Sequence, residues 1–374
     1  MVNAKNEWSR RKFVTVGTGA GAAIFINPIS TWASNEIVAK KALVASKFLS
    51  LDAHSHIDIP LYNNQKSDFN IDLNGEMKRS VLSAICATFA VDRPELTEPG
   101  EAFKRFTLGL DAMDIILETN RMKRALTYSD LIVAYKENKP IVIQSVEGGH
   151  FLEGQIERLG LAYDRGVRML GLLHDVQPSP PIGDIYTDTP TYNGLTDFGA
   201  SIIKECNRLG ILIDLTHCSN AAINDALELS AKPVVISHTG LDTQLGNNER
   251  MAKMMMPRLI SKQQAKIVSD AGGVIGVWTH LADSPQHYVR NLRAMIEVVG
   301  IDHVCMGTDT KIAKPKNADQ RIGEVTNAAW ENQKEGFFKI IVDEMLRDGF
   351  NEDEITKIGG TNFCRVFEAA TIGH

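Results

Sequence analysis

Cysteine is scarce in this sequence. The five cysteines in 374 residues are odd in number and lie far apart, at positions 86, 206, 218, 305 and 364. Three of them, Cys86, Cys218 and Cys305, lie in or beside apolar runs, where a thiol packs as a small hydrophobic group. The pattern argues against a disulfide framework and predicts buried free thiols.

Clusters of positive charge are also missing. Lysine and arginine number 40 against 46 aspartates and glutamates, which gives a net charge of −6 without a basic patch. Binding to nucleic acid or to an anionic membrane surface depends on concentrated positive charge. We therefore expect no nucleic acid partner and look for a small-molecule substrate instead.

A long hydrophobic run is the third absence. The apolar run at residues 14–29 is short and rich in glycine and alanine, so we expect no stable membrane span in the mature protein. Residues 9–14, just before it, read Ser-Arg-Arg-Lys-Phe-Val and match the twin-arginine pattern of exported proteins. Residues 31–33, Thr-Trp-Ala, then offer a cleavage site.

These regions come in the order of a signal peptide. We predict that residues 1–33 direct export by the twin-arginine route, to the periplasm or another exported location. A disordered basic N-terminus is the alternative interpretation. At the other end, residues 367–374 carry no hydrophobic anchor signal.

Short apolar runs alternate with helix-like segments along residues 34–374, which we predict to form a single domain. Eight runs have the Val, Ile and Leu content of buried parallel strands, at residues 48–53, 81–91, 140–146, 167–173, 211–217, 233–238, 273–278 and 303–307. Eight strands joined by helices predict an α/β fold, the (β/α)8 TIM barrel. An open doubly wound sheet is the runner-up, but no strand precedes a glycine-rich dinucleotide fingerprint.

Side chains that bind metals or transfer protons stand at the ends of six of these eight runs. The C-terminal ends of parallel barrel strands surround the active site, so we expect these side chains to converge. They are His56 with Asp58, Glu147, His174, His217, His238 and Asp309. Each one alone has an ordinary explanation, as a helix cap or a packed histidine. Together they indicate a metal site.

The chemistry that suits these side chains is metal-assisted hydrolysis. Nitrogen and oxygen ligands without thiolate favour zinc, with manganese or cobalt as alternatives. Two divalent ions bridged by a carboxylate acidify a shared water near neutral pH. A separate carboxylate can then transfer the proton, and an imidazole can hydrogen-bond the developing oxyanion.

An ordered set of motifs over residues 51–367 resembles one known family. The set includes His-Ile-Asp at 56–58, Val-Glu-Gly-Gly-His at 146–150, Asp-Leu-Thr-His at 214–217, Ser-His at 237–238 and Asn-Phe-Cys-Arg-Val at 362–366. It is similar to the membrane (renal-type) dipeptidases, a branch of the metal-dependent amidohydrolase superfamily. The resemblance implies a barrel of the metallo-dependent hydrolase type that cleaves the peptide bond of dipeptides, and it suggests a homodimer.

The resemblance also implies a set of metal ligands. Two zinc ions are expected per chain, held by His56 and Asp58 for the first, Glu147 as the bridge, and His217 and His238 for the second. The neighbouring His54 falls outside this set because the family spaces its ligand pair one residue apart. We interpret His150 as a structural residue close to the ligands.

Three further residues receive roles from the resemblance. Asp309 corresponds to the acid/base that takes a proton from water and delivers it to the leaving amine. His174 corresponds to the partner of the oxyanion. Arg258 corresponds to the arginine that binds the carboxylate of the substrate, a task that suits a guanidinium fork, although Arg250 lies nearby.

The sequence departs from the family on the substrate side. Phe-Asp-Gly usually follows the aspartate of strand eight, whereas residues 310–312 are Thr-Lys-Ile; asparagine usually follows the arginine, whereas residue 259 is leucine. The segment between the last histidine ligand and Arg258 is also longer than usual and rich in methionine. Hydrolysis of another small amide, such as an N-acyl amino acid or a lactam, therefore stays open. An inactive ligand-binding barrel is a further alternative.

Overall fold

The computed structural model describes residues 48–57, 59, 61, 71–313 and 325–373. Contacts divide the chain into a unit from Met1 to Lys40 and a unit from Lys41 to His374, and every described residue lies in the second unit. The predicted signal peptide and Asp58 lie outside the described residues.

One parallel sheet forms the centre of the fold. In the described part of the chain it has nine strands in the order β8-β7-β6-β5-β4-β3-β2-β1-β9. Their bounds are β1 Leu51–Ile57, β2 Ala84–Ala90, β3 Ile141–Glu147, β4 Val167–Gly171, β5 Leu212–Asp214, β6 Val235–Thr239, β7 Val274–Val277, β8 Val304–Met306 and β9 Thr310–Ala313.

The eighth barrel position is shared by two short strands. β8 pairs with β7, and β9 begins after only three intervening residues and pairs with β1, with Ser55 opposite Thr310. Between them, the side chain of Asp52 accepts hydrogen bonds from the N–H and hydroxyl of Thr308. The predicted (β/α)8 barrel is confirmed, but the sequence prediction stopped at residue 307 and missed β9.

Helices follow most strands and cover the sheet. They are α1 Leu73–Ser80, α2 Glu101–Thr119, α3 Tyr128–Lys136, α4 Arg158–Asp164, α5 Asp197–Leu209, α6 Asn220–Leu229, α7 Glu249–Met255, α8 Lys262–Asp270, α9 Pro285–Val299, α10 Phe337–Arg347, α11 Glu352–Thr356 and α12 Asn362–Thr371. Short 3-10 turns lie at Gly149–Leu152, Met256–Arg258, Ile301–His303 and Thr326–Ala328, and a π turn at Lys357–Thr361. No described helix is both long and apolar enough to cross a bilayer.

Along β3, the side chains on one face change from apolar to charged. On β3, Ile141, Ile143 and Glu147 are spaced by multiples of two residues, so they share one face of the strand. The two isoleucines belong to an apolar cluster that also contains Leu212 of β5. Apolar side chains thus fill the beginning of the barrel, and charged side chains appear at the strand ends.

The cysteines agree with the sequence prediction. All five are buried and free, and burial raises the pKa of all five thiols. They act as small packing groups.

Candidate metal centre and active site

Glu147 lies at the centre of the polar end of the barrel. It is the last residue of β3 and is 3% exposed. Its Oε1 is 2.9 Å from Nε2 of His217. Its Oε2 is buried and has no hydrogen-bond partner among the described residues, an arrangement that costs free energy unless another group binds there.

Five imidazoles surround this carboxylate with the same ring nitrogen. Nε2 of His217 and of His174 lie 2.9 Å and 3.5 Å from Glu147, and Nε2 of His54 and of His238 lie 3.6 Å and 3.7 Å away. His56 is close as well, at 3.8 Å. Together with Asp309, these residues are called the strand-end cluster below.

The opposite ring nitrogens are held from outside the cluster. Nδ1 of His54 lies 3.1 Å and Nδ1 of His238 lies 3.0 Å from the hydroxyl oxygen of Ser237. That hydroxyl donates its proton to Asp214, so it accepts from both imidazoles. The proton of each ring is therefore assigned to Nδ1, and each Nε2 presents a lone pair to the centre. Metal-binding histidines are commonly oriented in this way.

Ser237 can hold this position because glycines lie against it. A methyl group at Gly276 or Gly307 would collide with the carbonyl oxygen of Ser237. Close packing of three strand ends thus requires the small residues at both positions. A side chain there would displace Ser237 and, with it, the two imidazoles that it orients.

Asp309 lies in the gap between β8 and β9. Its backbone has a φ of 54°, in the left-handed region, and its N–H donates to the carbonyl oxygen of His54. The carboxylate contacts one imidazole on each side, with Oδ1 3.0 Å from Nε2 of His56 and Oδ2 2.8 Å from Nε2 of His280. The break in the eighth strand therefore aims this side chain at the centre.

The charges of the cluster depend on one another. Burial lowers the pKa of His174, but the carboxylates of Glu147 and Asp92 outweigh burial and raise this pKa to about 9. Burial raises the pKa of Glu147, but His174 and His54 outweigh it and hold this pKa well below its usual range. Burial and His238 lower the pKa of His54 well below its ordinary value, so His54 is neutral at pH 7.

A small cleft opens above the cluster. Its cavity has a volume of about 100 Å³, and Asp175, Met255, Arg258 and Trp278, called the cleft rim below, line its walls. Arg258 does not face the cavity alone, because its Nη2 lies 2.8 Å from Oδ1 of Asp175. The rim therefore presents a guanidinium and a carboxylate side by side.

Most of the predicted site residues meet at this cavity. His56, Glu147, His174, His217, His238, Arg258 and Asp309 all line it. Asp58 lies outside the described residues, so its predicted role as a ligand stays a prediction. His150 is turned away from the cluster, and its Nε2 donates to the carbonyl oxygen of Val176 at 2.7 Å.

Sequence reasoning missed four residues of the site. His54 was set aside in favour of His56 and Asp58, yet β1 continues to Ile57 and brings His54 and His56 together, with Nε2 atoms 3.3 Å apart. The His-x-His spacing was the available signal. Three further residues contact the cluster or Arg258 from elsewhere in the chain: Asp92, Asp175 and His280.

The residues fit bound metal. Potential ligand atoms lie within 4.8 Å of one another in three groups within the described ranges: His54, Glu147 and His238; His54, His56 and Asp309; and Glu147, His174 and His217. Glu147 belongs to two groups, and its partnerless Oε2 lies 3.5 Å from Nε2 of His174 and 3.8 Å from Nε2 of His56. A carboxylate with two oxygens among nitrogen donors suits a bridge between two divalent ions.

Comparison with other sequences identifies a matching family and a relative. Residues 38–373 match the family model described as membrane dipeptidase, peptidase family M19. Dipeptidase tcpJ of Claviceps purpurea (strain 20.1) is 24% identical over 263 residues, which are 69% of this chain and 58% of that protein. The chain thus spans less than two thirds of that relative.

Solved structures share the barrel. The probable dipeptidase PvdM from Pseudomonas aeruginosa has a TM-score of 0.72 at 18% identity, over 90% of this chain and 99% of that one. A metallo peptidase from Rhodobacter sphaeroides, liganded with a phosphinate mimic of the dipeptide L-Ala-D-Ala, has a TM-score of 0.62 at 20% identity, over 86% and 99%. Because the family model spans residues 38–373 of the 374, the chain belongs to the membrane dipeptidase family, M19.

Proposed function

We propose that this protein is an exported dinuclear zinc hydrolase that cleaves the peptide bond of dipeptides. The observation that carries the proposal is the buried, partnerless oxygen of Glu147 among imidazoles whose Nε2 atoms point inward. The metallo peptidase from Rhodobacter sphaeroides, with its bound phosphinate mimic of a dipeptide, supports the choice of substrate.

The ions would be held at the strand ends. Glu147 would bridge them, His217 and His238 would bind one ion, and His56 would bind the other, together with Asp58 as predicted from the sequence. His54 is a further ligand candidate because its neutral imidazole lies 3.6 Å from Glu147. When bound, zinc lowers the pKa of water and polarises the carbonyl of the substrate.

Proton transfer falls to Asp309. Burial raises its pKa, but His238 and His280 outweigh burial and hold this pKa well below its usual range, so the carboxyl group is ionised, the form in which it can accept a proton. His280 fixes Oδ2 and leaves the other oxygen directed at the centre. The same carboxyl group can then deliver its proton to the leaving amine.

His174 would stabilise the oxyanion. Its Nδ1 donates to the buried carboxylate of Asp92 at 2.7 Å, which orients the ring, and its Nε2 faces the cavity. A pKa of about 9 keeps the imidazole protonated at neutral pH. A cationic donor held in place is more effective for a developing negative charge than a neutral, mobile one. Arg258 would bind the terminal carboxyl group of the substrate.

The test combines metal content with a substrate panel. After zinc loading, the purified protein is expected to carry about two zinc ions per chain and to cleave dipeptides. Chelation should abolish the activity, and added zinc should restore it. A zinc content near zero after loading, or loaded protein that cleaves no dipeptide, would contradict the proposal.

A second candidate is the hydrolysis of another small amide, such as an N-acyl amino acid or a lactam. The contact between Asp175 and Arg258 favours keeping it, because part of the positive charge expected to select a free carboxylate is already neutralised. The same panel with N-acyl amino acids and lactams decides between them. A homodimer, as the family resemblance suggests, stays a prediction.

Export rests on the twin-arginine pattern. Replacing Arg10 and Arg11 with lysine together should leave the protein in the cytoplasm, since the pattern depends on the arginine pair. Cell fractionation of the double variant and the parent chain measures this. Normal export of the double variant would rule out the twin-arginine route.

A further inference from the structure

Asp175 is not among the proposed metal ligands, yet it lines the catalytic cavity, and its Oδ1 lies 3.7 Å from Nδ1 of His217. Its side chain is 21% exposed and lies between two guanidinium groups. Oδ1 is 2.8 Å from Nη2 of Arg258, and Oδ2 is 3.4 Å from Nη2 of Arg93. The Arg93 side chain is 61% exposed, so Arg258 is the better shielded partner.

This ion pair changes what Arg258 can recognise. A substrate carboxylate bound to Arg258 would come within a few ångströms of the carboxylate of Asp175. At such distances in a partly buried cleft, the repulsion between two negative charges is comparable with the attraction to the guanidinium. An adjacent like charge is a common way in which a binding site discriminates against a ligand.

A neutral amide group meets no such repulsion. Its carbonyl oxygen can accept a hydrogen bond from Arg258, which has further N–H donors beyond the one directed at Asp175. Its N–H can donate to the carboxylate of Asp175. The pair therefore offers one donor side and one acceptor side, as a carboxamide or a further peptide group requires.

We propose that Asp175 is a specificity-determining residue that lets the cleft accept substrates whose terminal carboxyl group is an amide. The substrate class is then small peptides with a neutral C-terminal group, alongside free dipeptides. The inference rests on the proposed function of the same site, because it concerns the substrate of the peptide hydrolysis described above.

The experiment compares each dipeptide with its C-terminal amide. We expect the zinc-loaded parent chain to cleave both, with kcat/KM values within about tenfold of each other. In Asp175→Asn the repulsion is gone and Arg258 stays, so the ratio of kcat/KM for acid over amide should rise by roughly 10- to 100-fold. The rise should come chiefly from a lower KM for the acid.

Two control variants make the result specific. Asp188→Asn removes an exposed carboxylate from the same loop without touching Arg258, so the ratio should stay within about twofold of the parent value. Arg93→Gln leaves Asp175 less neutralised, so the ratio should fall slightly, in the opposite direction. Zinc content is measured for every variant, because Oδ1 of Asp175 also lies 3.7 Å from Nδ1 of His217. It should equal that of the parent, since asparagine keeps an oxygen at this position.

The outcomes separate the two proposals. An unchanged ratio in Asp175→Asn with normal zinc content would overturn the role of Asp175 and leave the dipeptidase proposal intact. A parent chain that cleaves only free acids would also overturn it. Loaded parent protein that cleaves neither acids nor amides would contradict the proposed function itself.

Discussion

The strand-end cluster and the cleft rim are built in different ways. Cluster side chains lie on strands or within three residues of a strand end, and neighbours hold the Nδ1 atoms of several imidazoles, as Ser237 does for His54 and His238. Of the rim side chains, Asp175 lies on a loop and Arg258 on the turn Met256–Arg258. Met255 ends a short helix with exposed methionines, and Trp278 directly follows β7. The comparison teaches that this fold keeps its chemistry on strands and at strand ends, and places the Arg258–Asp175 pair of the rim on a turn and a loop, segments that can vary.

If this division holds, replacement of Glu147 should cause the largest loss of zinc binding and activity. Glu147→Gln removes the proposed bridge and leaves a neutral group, so the protein should lose most of its zinc. Activity should fall by roughly 10³-fold or more, the scale seen when a central catalytic group is removed. Zinc content and kcat/KM are the measurements. Glu118→Gln, on the exposed side of α2, is the control, and normal zinc binding by Glu147→Gln would contradict the bridge.

Asp309 should give the second largest effect, with a different signature. Asp309→Asn keeps the shape and one acceptor but cannot carry a proton. We expect kcat to fall by roughly 10²-fold or more while KM and zinc content change little. Steady-state kinetics with metal analysis checks this. Loss of zinc in the variant would assign Asp309 to metal binding instead.

The third prediction tests whether His54 is a metal ligand. The structure brings His54 among the ligand atoms, whereas the sequence favoured Asp58. Removal of a ligand in direct contact should weaken zinc binding by at least the 10- to 100-fold known for residues that only orient ligands. We therefore expect His54→Ala to lose about one zinc ion per chain. Titration of His54→Ala and Asp58→Ala in parallel decides, and unaltered affinity in His54→Ala would exclude it as a ligand.

The smallest effect should come from the rim. Met255 lines the cavity and is half-buried, so its side chain can contribute about 1 kcal/mol of apolar contact to a substrate side chain. Met255→Ala should raise KM about fivefold for dipeptides with large apolar side chains and less for alanine dipeptides. Met254→Ala, whose side chain is exposed, is the matched control. Equal changes in both variants would remove Met255 from the substrate site.

The sequence alone determined the barrel and most of the strand-end cluster. Apolar runs that are buried on both faces mark parallel strands, and the barrel geometry brings whatever follows them to one end. Glu147, His217 and His238 could be identified in this way because each lies within three residues of the end of its own strand.

Only the tertiary structure decided the partners. Asp92 and His174 are 82 residues apart, Asp175 and Arg258 are 83 apart, and neither pair is marked by a local pattern. His54 is a similar case: its register depends on irregular pairing of β1 with both β2 and β9, the strand that sequence reasoning missed. Ion pairs and strand registers of this kind arise from packing between distant segments. For this reason the residues that could bind metal can be identified from the sequence, whereas the residues that select the substrate cannot.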